Sequence, residues 1–400
     1  MTVGQMGMKH PSLAAMVDAI QWPITREALH GRFTQKAEAF LEKCLQHVLI
    51  TEAGSGLFLE ANVVKRFNRI MIFDSSSWDV DPKLADVLPG TGGGASAANC
   101  KLQACYEYTH GELGFFQIGP GTRPDNGYTD TLPSLLRAGD LALFDQGYFK
   151  LETLSQMAKK DAYFLTRFPV KTLIRDAQTR VSIDLQSVLS RFDGNACQFN
   201  VVIGGHKEQA EIVCRLICQR VSEKIANERR RRHLKEMRRK GRTPSNARLA
   251  LCDWTLLITN APDNALPDKI AWQFYSLRWQ IELIFKQLKS VLALHKSNTR
   301  NISRLKCEIY GKLILAVLIH RMHAGINNLF WQSFQRELSF DKFYKRIQER
   351  AFTILRLALV SPRKAIDFFA SEIPQLLFNC LKSTQPSRKT SLEKLVEGYT

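Results

Sequence analysis

Apolar residues recur at helical spacing through "ITREALHGRFTQKAEAFLEKCLQHVL" (24–49), directly after Pro23, which predicts an N-terminal helical region over residues 1–65. The period then shortens. "RIMIFDSSSW" (69–78) is a short β-rich apolar run that stops at Asp74 and a serine cluster, and "DLALFDQGYF" (140–149) repeats the arrangement with Asp145. Between them the glycine-rich "LPGTGGGASAAN" (88–99) reads as a loop, followed by "CKLQACYEYT" and "GELGFFQIG" as the two strands of a hairpin. With the first run they make a three-stranded meander. "LETLSQMAKKDAYFLTRFP" adds a helix and a strand, so residues 66–170 predict a mixed α/β (α+β) unit around one sheet.

From 171 to 262 the texture changes to short strand-like runs, "VKTLIRDA", "CQFNVVIGG", "AEIVCRLICQRV" and "DWTLLITNAP", which read as a β-rich insertion. Inside it sits "KIANERRRRHLKEMRRKGR" (224–242), with ten Lys or Arg against two Glu. So dense a run, including Arg229, Arg230, Arg231, Arg232, Arg238 and Arg239, predicts phosphate contact over a merely solvated face. Residues 263–330 return to helical periodicity, and 331–400 read as a helical region ending in a loose tail.

Composition narrows the classes. Across 400 residues, 45% apolar content predicts globular domains, and a net charge of +18 points to a polyanionic partner such as nucleic acid. A membrane partner is not expected: no run of about 18 apolar residues occurs, and the start lacks the layout of a signal peptide, which predicts a cytoplasmic protein. The nine cysteines include no CxxC pair, so neither a disulfide framework nor a zinc ribbon is expected. "GTGGGASAAN" lacks the GK[ST] of a phosphate-cradling loop, and the histidines suggest no role.

The chemistry gathers in "YSLRWQIELIFKQLKS" (275–290). On one continuous helix, Tyr275, Arg278, Glu282 and Lys289 would share a stripe about 60° wide beside an apolar stripe of Phe274, Leu277, Ile281, Ile284, Phe285 and Leu288. The bland alternative is an exposed Arg278–Glu282 ion pair, worth a few tenths of a kcal/mol. Asp74 and Asp145 tilt the reading, because each ends an apolar strand where a carboxylate can leave the sheet. Alone, either would sooner be a turn former or a cap. Three carboxylates brought together repel unless cations join them, and Mg²⁺ is the usual solution where phosphate is the substrate.

The spacing Y-(2)-R-(3)-E-(6)-K, met without a gap by Tyr275, Arg278, Glu282 and Lys289, resembles the signature of the DDE transposases of the bacterial insertion sequence four (IS-four) family. "IFDSSSW" and "LFDQGYF" are similar to that family's two aspartate contexts, although Gln146 stands where relatives often carry a basic residue. The resemblance spans about residues 65 to 330. It implies a ribonuclease H-like catalytic domain in two parts, 66–170 and 263–330, interrupted by the insertion. Asp74, Asp145 and Glu282 would be the catalytic, metal-binding triad, holding two Mg²⁺ ions, with Mn²⁺ as a substitute, for in-line phosphoryl transfer.

The resemblance further implies DNA as partner, both transposon ends and target, with Tyr275, Arg278, Lys289 and the basic run contacting it. The freed 3′-OH would be joined to target DNA by a homodimer in a synaptic complex. End binding would fall to the N-terminal helices, and Trp254 would be the aromatic of the insertion that receives an unstacked base. Two alternatives stay open: a stand-alone metal-dependent nuclease, and a non-catalytic basic DNA-binding protein.

Overall fold

In the computed structural model the described residues are 12–20, 23–50, 66–92, 96–205, 211–334, 336 and 338–382. The expected loose tail lies outside them from residue 383 onward. In chain order the helices are α1 (Leu13–Ile20), α2 (Arg26–Gly31), α3 (Gln35–Ile50), α4 (Leu132–Leu135), α5 (Leu151–Ala158), α6 (Leu185–Ser190) and α7 (Glu223–Arg239). They continue with α8 (Asn246–Ala250), α9 (Asp268–Ser276), α10 (Trp279–Ser290), α11 (Ile302–Phe334), α12 (Phe340–Val360) and α13 (Pro362–Asn379). The strands are β1 (Ile70–Asp79), β2 (Asn99–Glu107), β3 (Glu112–Pro120), β4 (Leu141–Phe144), β5 (Tyr163–Arg167), β6 (Arg175–Asp176), β7 (Ala196–Ile203), β8 (Ile212–Arg220) and β9 (Trp254–Thr259).

Two compact units are built from these elements, one from residues 1–60, 74–123 and 279–388, the other from 61–73, 124–278 and 389–400. In the second unit the opening residues of β1 pair in parallel with β4, and β4 with β5; β9, β8, β7 and β6 then extend the sheet in antiparallel order. The β-rich stretch of 171–262 is thus no separate layer, because β9 pairs directly with β5. Every residue of β4 and of β9 is buried, as continuous apolar strands covered on both faces require. Asn260 closes the pairing where the β5 and β9 backbones diverge: its side chain accepts from the Phe164 amide at 2.8 Å and donates to the Ala162 carbonyl at 2.9 Å.

An ion pair fixes the start of the two strands that matter most. Arg69, just before β1, donates from Nε to Asp140 Oδ1 at 3.1 Å, and its Nη2 bonds the second oxygen. Asp140, just before β4, is fully buried and also accepts from the Arg137 amide at 2.7 Å. From there the register runs Ile70↔Leu141, Met71↔Ala142, Ile72↔Leu143, Phe73↔Phe144. Gly139 turns the chain into β4 at φ +78, and a Cβ there would meet the Asn68 side chain at 2.5 Å.

In the first unit, β2 and β3 form the expected antiparallel hairpin. The N-terminal helices are not detached: α3 packs along α11, Lys306 Nζ bonds Glu38 Oε1 at 2.7 Å, and Met16, Leu29 and Phe33 share a small core with Cys307. α12 and α13 make a helical hairpin in which Arg346 and Arg350 both pair with Glu372. Among the described residues no helix is long and apolar enough to cross a membrane.

One expectation fails. Residues 275–290 are not a single helix: α9 ends at Ser276, Leu277 and Arg278 form a turn closed by Leu277 N to Phe274 O (3.0 Å) and Arg278 N to Tyr275 O (3.1 Å), and α10 begins at Trp279. The 60° stripe therefore breaks between Arg278 and Glu282. Periodicity still identified the buried side correctly, since Phe274, Leu277, Ile281, Ile284, Phe285 and Leu288 are all in the core.

Candidate active site

Asp145 follows Phe144 at the end of β4, half-buried, and is the backbone N-cap of a single 3₁₀ turn (Gln146–Tyr148) that its side chain does not cap. The cap alternative for this residue thereby falls away. The carboxylate instead accepts from the Tyr275 hydroxyl at 3.2 Å. Burial, and after it the Asp145 charge, hold the Tyr275 phenol above its ordinary pKa, while Arg167 and Arg278 pull it the other way. Tyr275 thus stays a donor at neutral pH. Its ring stacks on Trp272 at 5.7 Å between centroids, and the Arg167 guanidinium lies 5.7 Å above its centre.

Arg167 is a residue the sequence reading missed. Thr166 is the register partner of Phe144, so Arg167, the last residue of β5, stands one step beyond that pair as Asp145 does after β4. The signal was present: "AYFLTR" is an apolar strand ending in a charged residue, built like "IMIFD" and "LALFD".

Asp74, expected to end its strand, lies inside it instead: β1 runs on to Asp79, and at Asp74 it passes from fully buried to half-buried residues. Its Oδ1 accepts from the Ser75 amide at 2.8 Å. Glu282 lies in the first turn of α10, where the positive end of the helix dipole favours a carboxylate by about 0.3–1 kcal/mol. Farther along α10, Lys289 is half-buried, donates to the Ser77 carbonyl at 3.0 Å and sits 5.9 Å from the centre of the Trp78 ring. Burial lowers its pKa. Asp74, Glu282 and Lys289 belong to the first compact unit, and Asp145, Tyr275 and Arg278 to the second. Among the described residues no three or more His, Cys, Asp or Glu side chains are grouped closely enough to hold a metal ion.

Two expectations outside this stretch need correction. Trp254, expected to receive a base, is 5% exposed; its ring packs beside Phe192 at 6.0 Å and beneath the Arg220 guanidinium at 4.8 Å. The first residue of an all-buried strand has no free ring face to offer. The basic run, for its part, is not uniformly available to phosphate. Arg229 donates to the Trp254 carbonyl and to Thr255 Oγ1, each at 2.9 Å, and Arg230 pairs with Asp253 and bonds Asn227 Oδ1 at 2.8 Å. Arg231, Arg232, Arg238 and Arg239 are exposed.

Residues 65–318 match the family model described as "Transposase DDE domain". This chain belongs to the DDE transposase family. The transposase is similar to the transposase for insertion sequence element IS231E of Bacillus thuringiensis subsp. finitimus, with 28% identity across 93% of this chain and 81% of that protein. It is similar also to the IS231C transposase of B. thuringiensis subsp. berliner, 30% identical over 84% and 74% of the two chains, and to the IS1151 transposase of Clostridium perfringens, 26% identical over 82% and 72%. Its fold is of the mixed α/β class expected from the sequence. The transposase is accordingly a divalent-metal-dependent enzyme that cleaves DNA and transfers strands.

Proposed function

We propose that Asp74, Asp145 and Glu282 are the catalytic acids of this transposase and that they hold Mg²⁺, with Mn²⁺ as a substitute and two ions in the working site. The register of β1 with β4 carries this reading. It supports a reading in which Asp74 and Asp145 each follow the last paired residue of β1 and β4, at the carboxyl end of that parallel pairing, where ligands bind in open α/β folds. The donor chemistry suits the ion although the three acids are not grouped around one point: carboxylate oxygens match a hard cation that keeps several waters, and Asp145, taking one hydrogen bond from Tyr275, retains lone pairs for a ligand. Bound divalent ions would polarise the phosphoryl oxygens and make a hydroxyl nucleophilic near neutral pH.

The remaining work falls to this chain's own groups. Tyr275 donates to one Asp145 oxygen and so fixes the direction of the carboxylate. Arg167, exposed above the Tyr275 ring, suits a phosphate oxygen of the strand being cut. Arg278 and Lys289 serve the same strand. Lys289 does so from a fixed position, because its bond to the Ser77 carbonyl spends one of its three donors and leaves two.

The substrate is duplex DNA bearing the element's terminal inverted repeats, bound by a homodimer in which the N-terminal helices (residues 1–65) take part. The freed 3′-OH ends are joined to target DNA in the bacterial cytoplasm, at the nucleoid. Wild-type protein, Mg²⁺ and a duplex carrying those repeats should give cut ends and then joined product. Asp145→Asn should still bind the duplex and give neither; joined product from that variant would refute the assignment, and cutting without joining by the wild type would make the protein a nuclease.

A further inference from the structure

We infer that α7 is a backbone-binding rod for duplex DNA, with its outward stripe of Lys224, Arg231, Arg232, Lys235, Arg238 and Arg239 facing the phosphates and Arg229 and Arg230 turned inward to orient it. At 100° per residue the six cations fall within an arc of about 120°, which holds one acid, Glu228. All six are exposed, and none of the six side chains makes a hydrogen bond or ion pair with a described residue, unlike those of Arg229 and Arg230. The opposite side carries buried Ala226, half-buried Met237 and the two inward arginines.

The inward pair gives the stripe a fixed aim. Arg229 grips the β9 backbone and Thr255, and Arg230 grips Asp253 just before β9. Burial lowers the pKa of Arg229, with the nearby Arg167 charge adding to it, so its desolvated charge is tied to structure and not offered to solvent. Lys240, about 180° away from Arg231 and paired with Glu236, lies off the stripe.

The charge match favours a regular polyanion. From Lys224 to Arg239 the helix rises about 22 Å, and a duplex presents one phosphate per ~3.4 Å of axis on each strand, so about six phosphates face six cations. The match of six cations to the phosphate spacing assigns the stripe to the backbone, a contact of affinity and register that leaves sequence to other residues.

This inference rests on the transposase acting on DNA, and the test separates the two. Duplex binding would be titrated with salt for wild type and for a variant carrying Arg231→Gln, Arg232→Gln, Lys235→Gln, Arg238→Gln and Arg239→Gln. Each phosphate deprived of its cation flattens the slope of log K against log salt by about 0.9, so the five substitutions should reduce the slope by about 4.5 on cognate and random duplex alike. Acetylation of the wild type, which needs no variant to fold, should show Lys224 and Lys235 protected by duplex and Lys240 not. If the wild type cleaves repeat-bearing DNA yet the slope is unchanged and the three lysines react alike, the stripe is overturned while the transposase reading stands. If the wild type neither binds nor cleaves duplex, both fall.

Discussion

α7 and α10 are both charged helices packed on one side, yet they use charge in opposite ways. α7 has charge in excess and hides two arginines of one unbroken run to aim the remainder. α10 has little, and sets Glu282 and Lys289 half-buried at the margin of an apolar stripe. Charge density therefore says little about the work of any single residue; where a side chain falls around the helix says much. Arg229 and Arg231 are two residues apart, about 200° around the axis, and they meet a buried strand and bulk solvent respectively.

The strongest way to break this comparison is at the sparse helix. Glu282→Gln should reduce cleavage about a thousandfold or more, as loss of several kcal/mol of metal-assisted stabilisation would, while the salt slope of duplex binding stays that of wild type. A changed slope with cleavage intact would reverse the roles given to the two helices. Next in size, Arg69→Ala should cost about 3–5 kcal/mol of stability in denaturant unfolding, because it leaves Asp140 as a buried charge without its partner. A loss below about 1 kcal/mol would mean that apolar packing alone sets the β1–β4 register.

Tyr275→Phe keeps the ring stack on Trp272 and removes only the donor to Asp145, so cleavage should drop about 10- to 100-fold with thermal stability little changed. Full activity would show that Asp145 needs no such fixing. The smallest effects lie within α7 itself and sharpen the contrast there. Arg229→Gln should lose about 1–3 kcal/mol of stability, and Arg231→Gln should stay within about 0.5 kcal/mol of wild type. Equal melting temperatures for the two would dissolve the inward and outward division.

Much of this was legible in the sequence where one local period sufficed. The hairpin of β2 and β3 and the apolar runs of β4 and β5 follow from alternation and spacing, whereas α7 arose inside a stretch read as β-rich. What local pattern could not supply was partnership at long range. Nothing near Trp254 announces that β9 will pair with β5 and bury the ring, and nothing near Asp145 announces a tyrosine 130 positions on as its donor. The break at Leu277–Arg278 was hidden for a different reason. Neither residue is Gly or Pro, and the apolar stripe continues across the turn, so the period survives although the helix does not. The motif Y-(2)-R-(3)-E-(6)-K thus spans two helices and two compact units while reading as one.

The Arg69–Asp140 pair also bears on when the site forms as the chain folds. The hairpin of β2 and β3 closes across a few residues, whereas Arg69 and Asp140 enclose a loop of 71 positions within which that hairpin lies. Closure entropy grows with loop length and must be met before distant contacts offer any return, so local turns form first and the β1–β4 alignment later. A collapsed chain still lacking that alignment would already hold its hairpin and helices, yet could pair β1 with β4 one residue out of step, turning each side chain to the other face. Phe73 and Phe144, the residues that precede Asp74 and Asp145, come level only once Arg69 has found Asp140, which would make this alignment one of the later events of folding.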